Sequence, residues 1–163
     1  MDSIDFLKNQ HREAIGLFDK FEQYQKAHDM KNCHATFEKL ADMLAIHTEL
    51  EERFFYPAAK NKDTQDLVTE AVEEHRELKK LLLDAMKGMN NPGFSGIVAA
   101  IRGAFEHHMG EEENEMFPKV KKAWGKDHNQ QVYDQMEKLY KELDQKGNAR
   151  KNIKVGEPAK AHA

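Results

Sequence analysis

Four apolar stripes run along this chain, and each is broken by a histidine where a core residue should stand. The first passes through Ile4, Leu7, His11, Ala14, Phe18 and Phe21, and the second through Phe37, Leu40, Leu44, His47, Glu51 and Phe54. The third passes through Val68, Ala71, His75, Leu78, Leu82, Ala85 and Met89, and the fourth through Val98, Ile101, Phe105, His108, Glu112 and Met116. Steps of three and four residues place each set on one face of an α-helix. The fourth drifts to successive steps of four near its end. Four such helices must bury their stripes against one another, and they then bury the histidines as well.

The breaks between the stripes are polar: "NKDT" (61–64), "GMNNPGFSG" (88–96) and, more weakly, "HDMKNC" (28–33). The segments between them are rich in Leu, Ala, Glu, Lys and Met, which favour helix. No strand-like alternation is evident. The pattern predicts helices over about 3–27, 33–59, 64–89 and 95–120, with Ser3, Thr64 and Ser95 as N-caps. A fifth helix, 129–146, follows "WGKDHN". From Gly147 the apolar periodicity stops, and a disordered tail is expected over 147–163. The predicted fold is all-α: an up-down-up-down four-helix bundle plus a C-terminal helix over 1–146, ending in a flexible tail.

A lone seam histidine is ordinary, but one on every seam is not. Two seams also carry a glutamate one turn later, Glu51 after His47 and Glu112 after His108, on the same helix face. A buried carboxylate costs several kcal/mol unless it is neutralised or paired, and no Lys or Arg lies on these seams. A metal satisfies carboxylates and imidazoles together. Counting residues out to each turn and back, at about 1.5 Å rise per residue, brings all six groups to one height. The candidate ligands are therefore His11, His47, Glu51, His75, His108 and Glu112.

Two stretches repeat the arrangement 61 residues apart, "HTELEERFFYP" (47–57) and "HMGEEENEMFP" (108–118). Two similar hairpins, each with two imidazoles and one carboxylate, suit two metal ions bridged by the carboxylates. Pro57 and Pro118 act by removing an N–H, which ends or bends a helix. His107 competes with His108, because Glu111 lies four residues beyond it; the seam and the alignment on proline both select His108 and Glu112. His28, His34, His128 and His162 read as surface residues, and Glu49, Glu52, Glu74, Glu111, Glu113 and Glu115 as solvated acids. Phe54, Phe55, Phe105, Leu44, Leu78 and Met116 form an apolar wall around the candidate ligands.

Charge excludes one class of partner. A third of the residues are charged, with both signs mixed and a net charge of −4, which does not suit a nucleic-acid surface. The single cysteine, Cys33, excludes an internal disulfide and any cysteine-rich metal site, and reads as a free thiol near a helix start. "MDSIDFLKNQ" carries neither a basic nor an apolar signal region, and no run nears the roughly 18 apolar residues of a membrane span. A cytoplasmic, reducing setting is expected.

The His11 position, "HTELEERFFYP", "EEHREL" around His75 and "HMGEEENEMFP" together resemble the hemerythrin-like family of HHE cation-binding domains, over about residues 3–120. The order His-x-x-x-Glu separates this pattern from ferritin-like bundles, which use Glu-x-x-His. The resemblance implies a non-haem di-iron centre: two iron ions with an oxo or hydroxo bridge. Oxygen-carrying hemerythrins have a second histidine one turn from the first on the third helix, whereas here the flanking positions are Ala71 and Lys79. Two octahedral ions need about 12 positions; two carboxylates, four imidazoles and a bridging oxygen fill about ten. Glu74 or Tyr56 is near enough in sequence to fill the gap, and the spacing does not choose between them. The resemblance implies binding or sensing of oxygen, NO, peroxide or iron. The missing histidine favours a second reading, an enzyme that removes peroxide or another oxidant. A third is a zinc-bound or metal-free interaction bundle.

Overall fold

The computed structural model describes residues 2–157, which contain helices and no strand. Helix α1 spans Ser3–Lys26, and α2 spans Met30–Leu50 and runs on through a wide turn at Glu51–Phe55 into α3, Tyr56–Ala59. Helix α4 spans Gln65–Lys87. Helix α5, Phe94–Glu111, runs through a second wide turn at Glu112–Met116 into α6, Phe117–Ala123. Helix α7 spans Lys126–Lys146. The loops are short, so successive helices are antiparallel; α1 packs on α2, α2 on α4, α4 on α5 and α5 on α1. This is the expected four-helix bundle with an added C-terminal helix.

The helix starts differ from the expected caps. The Asp2 carboxylate accepts the Ile4 and Asp5 N–H groups. Ser3 is already helical, and its N–H and hydroxyl both donate to Asn129 Oδ1 at the start of α7. Thr64 stands just before α4, but its hydroxyl donates to the Ala59 carbonyl and accepts the Asn61 N–H, closing the loop instead. Gly93, not Ser95, precedes α5. Asp29 caps α2 three residues earlier than the pattern predicted.

The buried apolar residues form two clusters rather than one. One end holds Leu7, Leu50, Phe55, Phe117, Val120 and Met136, and the other holds Phe18, Phe21, Phe37, Leu44, Phe94 and Phe105. Each buried Leu or Phe stabilises by about 1.5–3 kcal/mol. Helix α7 closes the first cluster with Val132, Met136 and Leu139, and Phe6 meets Tyr133 and Tyr140 edge-on. Cys33 is buried in the second cluster, its thiol turned to the Phe21 carbonyl.

The tail departs from the expectation of disorder over its described part. Gly147 (φ 74°) and Asn148 (φ 54°) turn the chain back, and a 3-10 turn, Ala149–Asn152, lies on α2. Ala149 joins the first cluster. Arg150 donates to Asp42 at 3.0 Å and to Glu38 at 2.7 Å, charge pairs that periodicity does not register. The end of the expected tail, residues 158–163 with His162, lies outside the described residues. Among the described residues, no helix is long and apolar enough to cross a membrane.

Candidate metal centre

Between the two apolar clusters lies one polar level, and two backbone irregularities shape it. The Tyr56 N–H donates to the Glu51 carbonyl and the Phe117 N–H to the Glu112 carbonyl, five residues back rather than four. Each π turn inserts one residue and rotates the next stretch of helix by about 100°. Each stands immediately before a proline, Pro57 or Pro118, whose ring would press on the carbonyl four residues back in a regular turn. The prolines do not stop the helices, which continue to Ala59 and Ala123. The rotation also corrects the predicted seam: Phe55 and Tyr56 turn inward, and Phe54 is only half-buried.

The six predicted residues all converge on this level, and each is at most 2 % exposed. His11 Nε2 lies 3.1 Å from Glu112 Oε1, and His47 Nε2 lies 3.1 Å from Glu51 Oε1. His75 Nε2 lies 3.0 Å from Glu51 Oε1 and 3.0 Å from His108 Nε2. His108 Nε2 lies 3.4 Å from Glu112 Oε1. Their donor atoms fall into two tight groups, one of His11, His47, Glu51 and Glu112, the other of Glu51, His75 and His108. Glu51 belongs to both, and Glu112 faces a histidine of each.

Tyr56 joins the second group. Its hydroxyl donates to Glu112 Oε2 at 2.6 Å and lies 3.2 Å from Glu51 Oε1, 3.2 Å from His75 Nε2 and 3.3 Å from His108 Nε2. Of the two residues the spacing left open, Tyr56 therefore faces the cluster. Glu74 stands outside it.

A ring of oxygen acceptors holds the imidazoles from behind. His11 Nδ1–H donates to Glu113 (2.8 Å), His75 Nδ1–H to Glu52 (2.9 Å), His108 Nδ1–H to Glu74 (2.8 Å) and His47 Nδ1–H to Gln10 Oε1 (2.7 Å). Carboxylate and amide oxygens only accept, so each Nδ1 carries a proton and each Nε2 is turned inward. Glu52, Glu74 and Glu113 are thus not solvated acids, as their sequence setting suggests. The signal was the doubled Glu-Glu of each repeat: the first carboxylate turns into the cluster, and the second reaches a histidine on another helix.

The remaining histidines sort by exposure. His107 is exposed and lies between Glu74 and Glu111. His34 is half-buried rather than on the surface; its Nε2–H donates to the Met89 carbonyl and its ring meets Phe94 edge-on.

The donor set fits a cation. His47 Nε2 and Glu51 Oε2 are buried without a hydrogen-bond partner, a cost of about 1–3 kcal/mol each. His75 and His108 face each other with Nε2 atoms 3.0 Å apart while both Nδ1 atoms hold protons for carboxylates. Neighbouring octahedral positions with metal bonds of about 2.1 Å lie ~3.0 Å apart, close to the spacings here. Without a cation, protons take its place. Burial opposes charge on His11 and His108, but Glu112 and Glu113 raise His11 to about 9, and Glu112, Glu51 and Glu74 hold His108 well above 6.5. On His47 burial prevails and lowers the value. Burial pushes the Tyr56 phenol well above 10, and the carboxylates of Glu112 and Glu51 add to this.

Comparison with known proteins agrees with this geometry. Residues 2–120 match the hemerythrin HHE cation binding domain. The fold is similar to the crystal structure of a hemerythrin HHE cation binding domain-containing protein from Mycobacterium kansasii, with a TM-score of 0.74 over 96 % of this chain and 95 % of that one. Identity there is 21 %, so this likeness speaks for the fold alone. No curated protein matches the sequence. With the domain matched across all four bundle helices and a buried His/Glu cluster able to hold metal at their centre, the chain belongs to the hemerythrin HHE cation-binding family.

Proposed function

We propose that this chain is a non-haem di-iron protein that binds or senses a small ligand such as oxygen, NO or peroxide. The observation that carries the reading is one buried donor set divided into two groups that share Glu51. His11 and His47 would hold one ion, and His75, His108 and Tyr56 the other, with Glu51 and Glu112 spanning the pair. Imidazole, carboxylate and phenol are nitrogen and oxygen donors that suit iron, and the one thiol, Cys33, lies away in the second apolar cluster. Bound there, two irons supply a redox-active Lewis-acid pair.

The chain's own residues do the rest. Glu113, Glu52, Glu74 and Gln10 fix the ring orientation of the four histidines. Leu44, Phe55, Leu78, Phe105, Met116 and Phe117 are buried in the apolar clusters on either side of the polar level and keep water from it. Tyr56 holds its proton against Glu112. A cation in the cluster reverses the local field and favours the phenolate.

A second reading, turnover of peroxide, is favoured by the donor set itself, in which Tyr56 supplies an oxygen donor rather than a fifth imidazole. Metal analysis of protein purified without added metal, with absorption spectra of the oxidised and reduced forms, tests the first reading. Two irons per chain and a visible charge-transfer band are expected. Zinc or no metal sinks the reading. Steady peroxide turnover that disappears in His75→Ala selects the enzyme.

A further inference from the structure

The three carboxylates that hold imidazoles from behind differ in one respect. On Glu52 the same oxygen, Oε2, accepts both the His75 Nδ1–H at 2.9 Å and the Lys79 ammonium at 2.7 Å. The Lys79 side chain is 14 % exposed, so solvent screens this pair less than a surface one. Glu74, behind His108, meets the exposed His107 and no lysine or arginine nitrogen among the described residues. Glu113, behind His11, feels Arg12 and Lys8 only at longer range. His75 and His108 belong to the same half of the cluster, yet only His75 has its outer carboxylate drawn upon by a cation.

A carboxylate behind an imidazole raises its strength as a ligand, and a cation on the same oxygen removes part of that gain. We propose that Lys79 is a positioning residue that acts through Glu52 to make His75 a weaker donor than His108 to the ion they share, and so raises that ion's reduction potential. This rests on the di-iron reading of the cluster. A purely structural Lys79 would anchor Glu52 without setting a potential.

Two measurements on the full chain test it, each with Lys79→Met, Lys79→Arg and the control Lys80→Met. Lys80 is a half-exposed lysine one position along, paired with Glu77. In metal-free protein labelled with nitrogen-15 histidine, Lys79→Met should move the His75 Nδ1 proton resonance downfield, while Lys79→Arg and Lys80→Met leave it near the wild-type position. In iron-loaded protein, Lys79→Met should keep two irons and lower the midpoint potential, Lys79→Arg should restore it, and Lys80→Met should not change it. Lys79→Gln removes the same charge if the Met variant does not fold. An unmoved His75 resonance, an unchanged potential with both irons present, or an equal change in Lys80→Met overturns the proposal. Failure of the wild type to take up iron defeats the functional reading instead, and the resonance of metal-free protein then decides whether Lys79 controls His75.

Discussion

Each buried histidine here uses both ring nitrogens, one facing the cluster and one facing its holder, so single substitutions separate the two jobs. His11→Ala or His47→Ala should remove one metal and His75→Ala or His108→Ala the other, while Glu51→Ala disturbs both because Glu51 belongs to both groups. His107→Ala should keep two metals, since that ring is exposed; metal-to-protein ratios decide, and an emptied site in His107→Ala alone would reverse the assignment on α5. Glu113→Gln should weaken metal binding by about 10–100-fold without abolishing it, read by competition with a chelator. Metal-free protein should depend on pH in a specific way. His11, raised to about 9, contributes stability that is fully present below 6.5 and lost as pH rises through about 9. His108 acts in the same direction and His47 against it. Glu51, held well below 4.5, contributes stability that is present above 4.5 and lost as pH falls through its folded value. Melting temperatures of chelated protein should therefore peak between about 4.5 and 6.5 and fall towards 9; a flat profile there would contradict the charge arrangement.

At the scale of elements, the π turns do what regular helix cannot. In a plain α-helix, Glu51 and Tyr56 would lie about 500° apart around the axis, off a common face. The widened turn brings Tyr56 back to the Glu51 side, within 3.2 Å. Deleting Arg53, an exposed residue of that turn, leaves Tyr56 four residues after Glu51, about 400° around a regular helix, and so should keep it at the cluster; Tyr56→Phe removes the hydroxyl and leaves the turn in place. Helix content by circular dichroism should be unchanged in both, while only the iron-loaded Tyr56→Phe protein loses its phenolate contribution to visible absorption. An unaltered spectrum in Tyr56→Phe would mean that Tyr56 does not reach the metal. Helix positions were readable from apolar spacing because burial of one face determines it. The π turns were not: the prolines mark them, but a proline is equally compatible with a stop or a bend.

Across the whole molecule, the polar level divides the core, so metal and fold are linked. Removing metal should lower the melting temperature, because the cluster's buried polar atoms then lose the cation that satisfies them. Equal melting curves with and without a chelator would argue against a buried site. The C-terminal strap makes a separate contribution. Arg150→Ala should cost about 1 kcal/mol in urea denaturation, since its pairs with Asp42 and Glu38 lie at the surface of α2 but are partly shielded. Metal content should stay at the wild-type value, because Arg150 pairs with Asp42 and Glu38 and, among the described residues, with none of the six cluster residues.

The sequence by itself determined the helices, the bundle and the six residues of the polar level, because a step of 3.6 residues per turn turns apolar spacing into a buried face and exposes every polar exception on it. The family resemblance lay in those same exceptions. Tertiary structure decided what spacing along one helix cannot encode. Which carboxylate stands behind which imidazole is a contact between helices, and Glu52, Glu74 and Glu113 look like any solvated acid until α4, α5 and α1 respectively are packed against them. The same holds for the strap, where one arginine finding two acids more than 100 residues away outweighs a local absence of apolar pattern. Tyr56 was the intermediate case: near enough in sequence to be named, but brought to the cluster only by the extra residue in its turn.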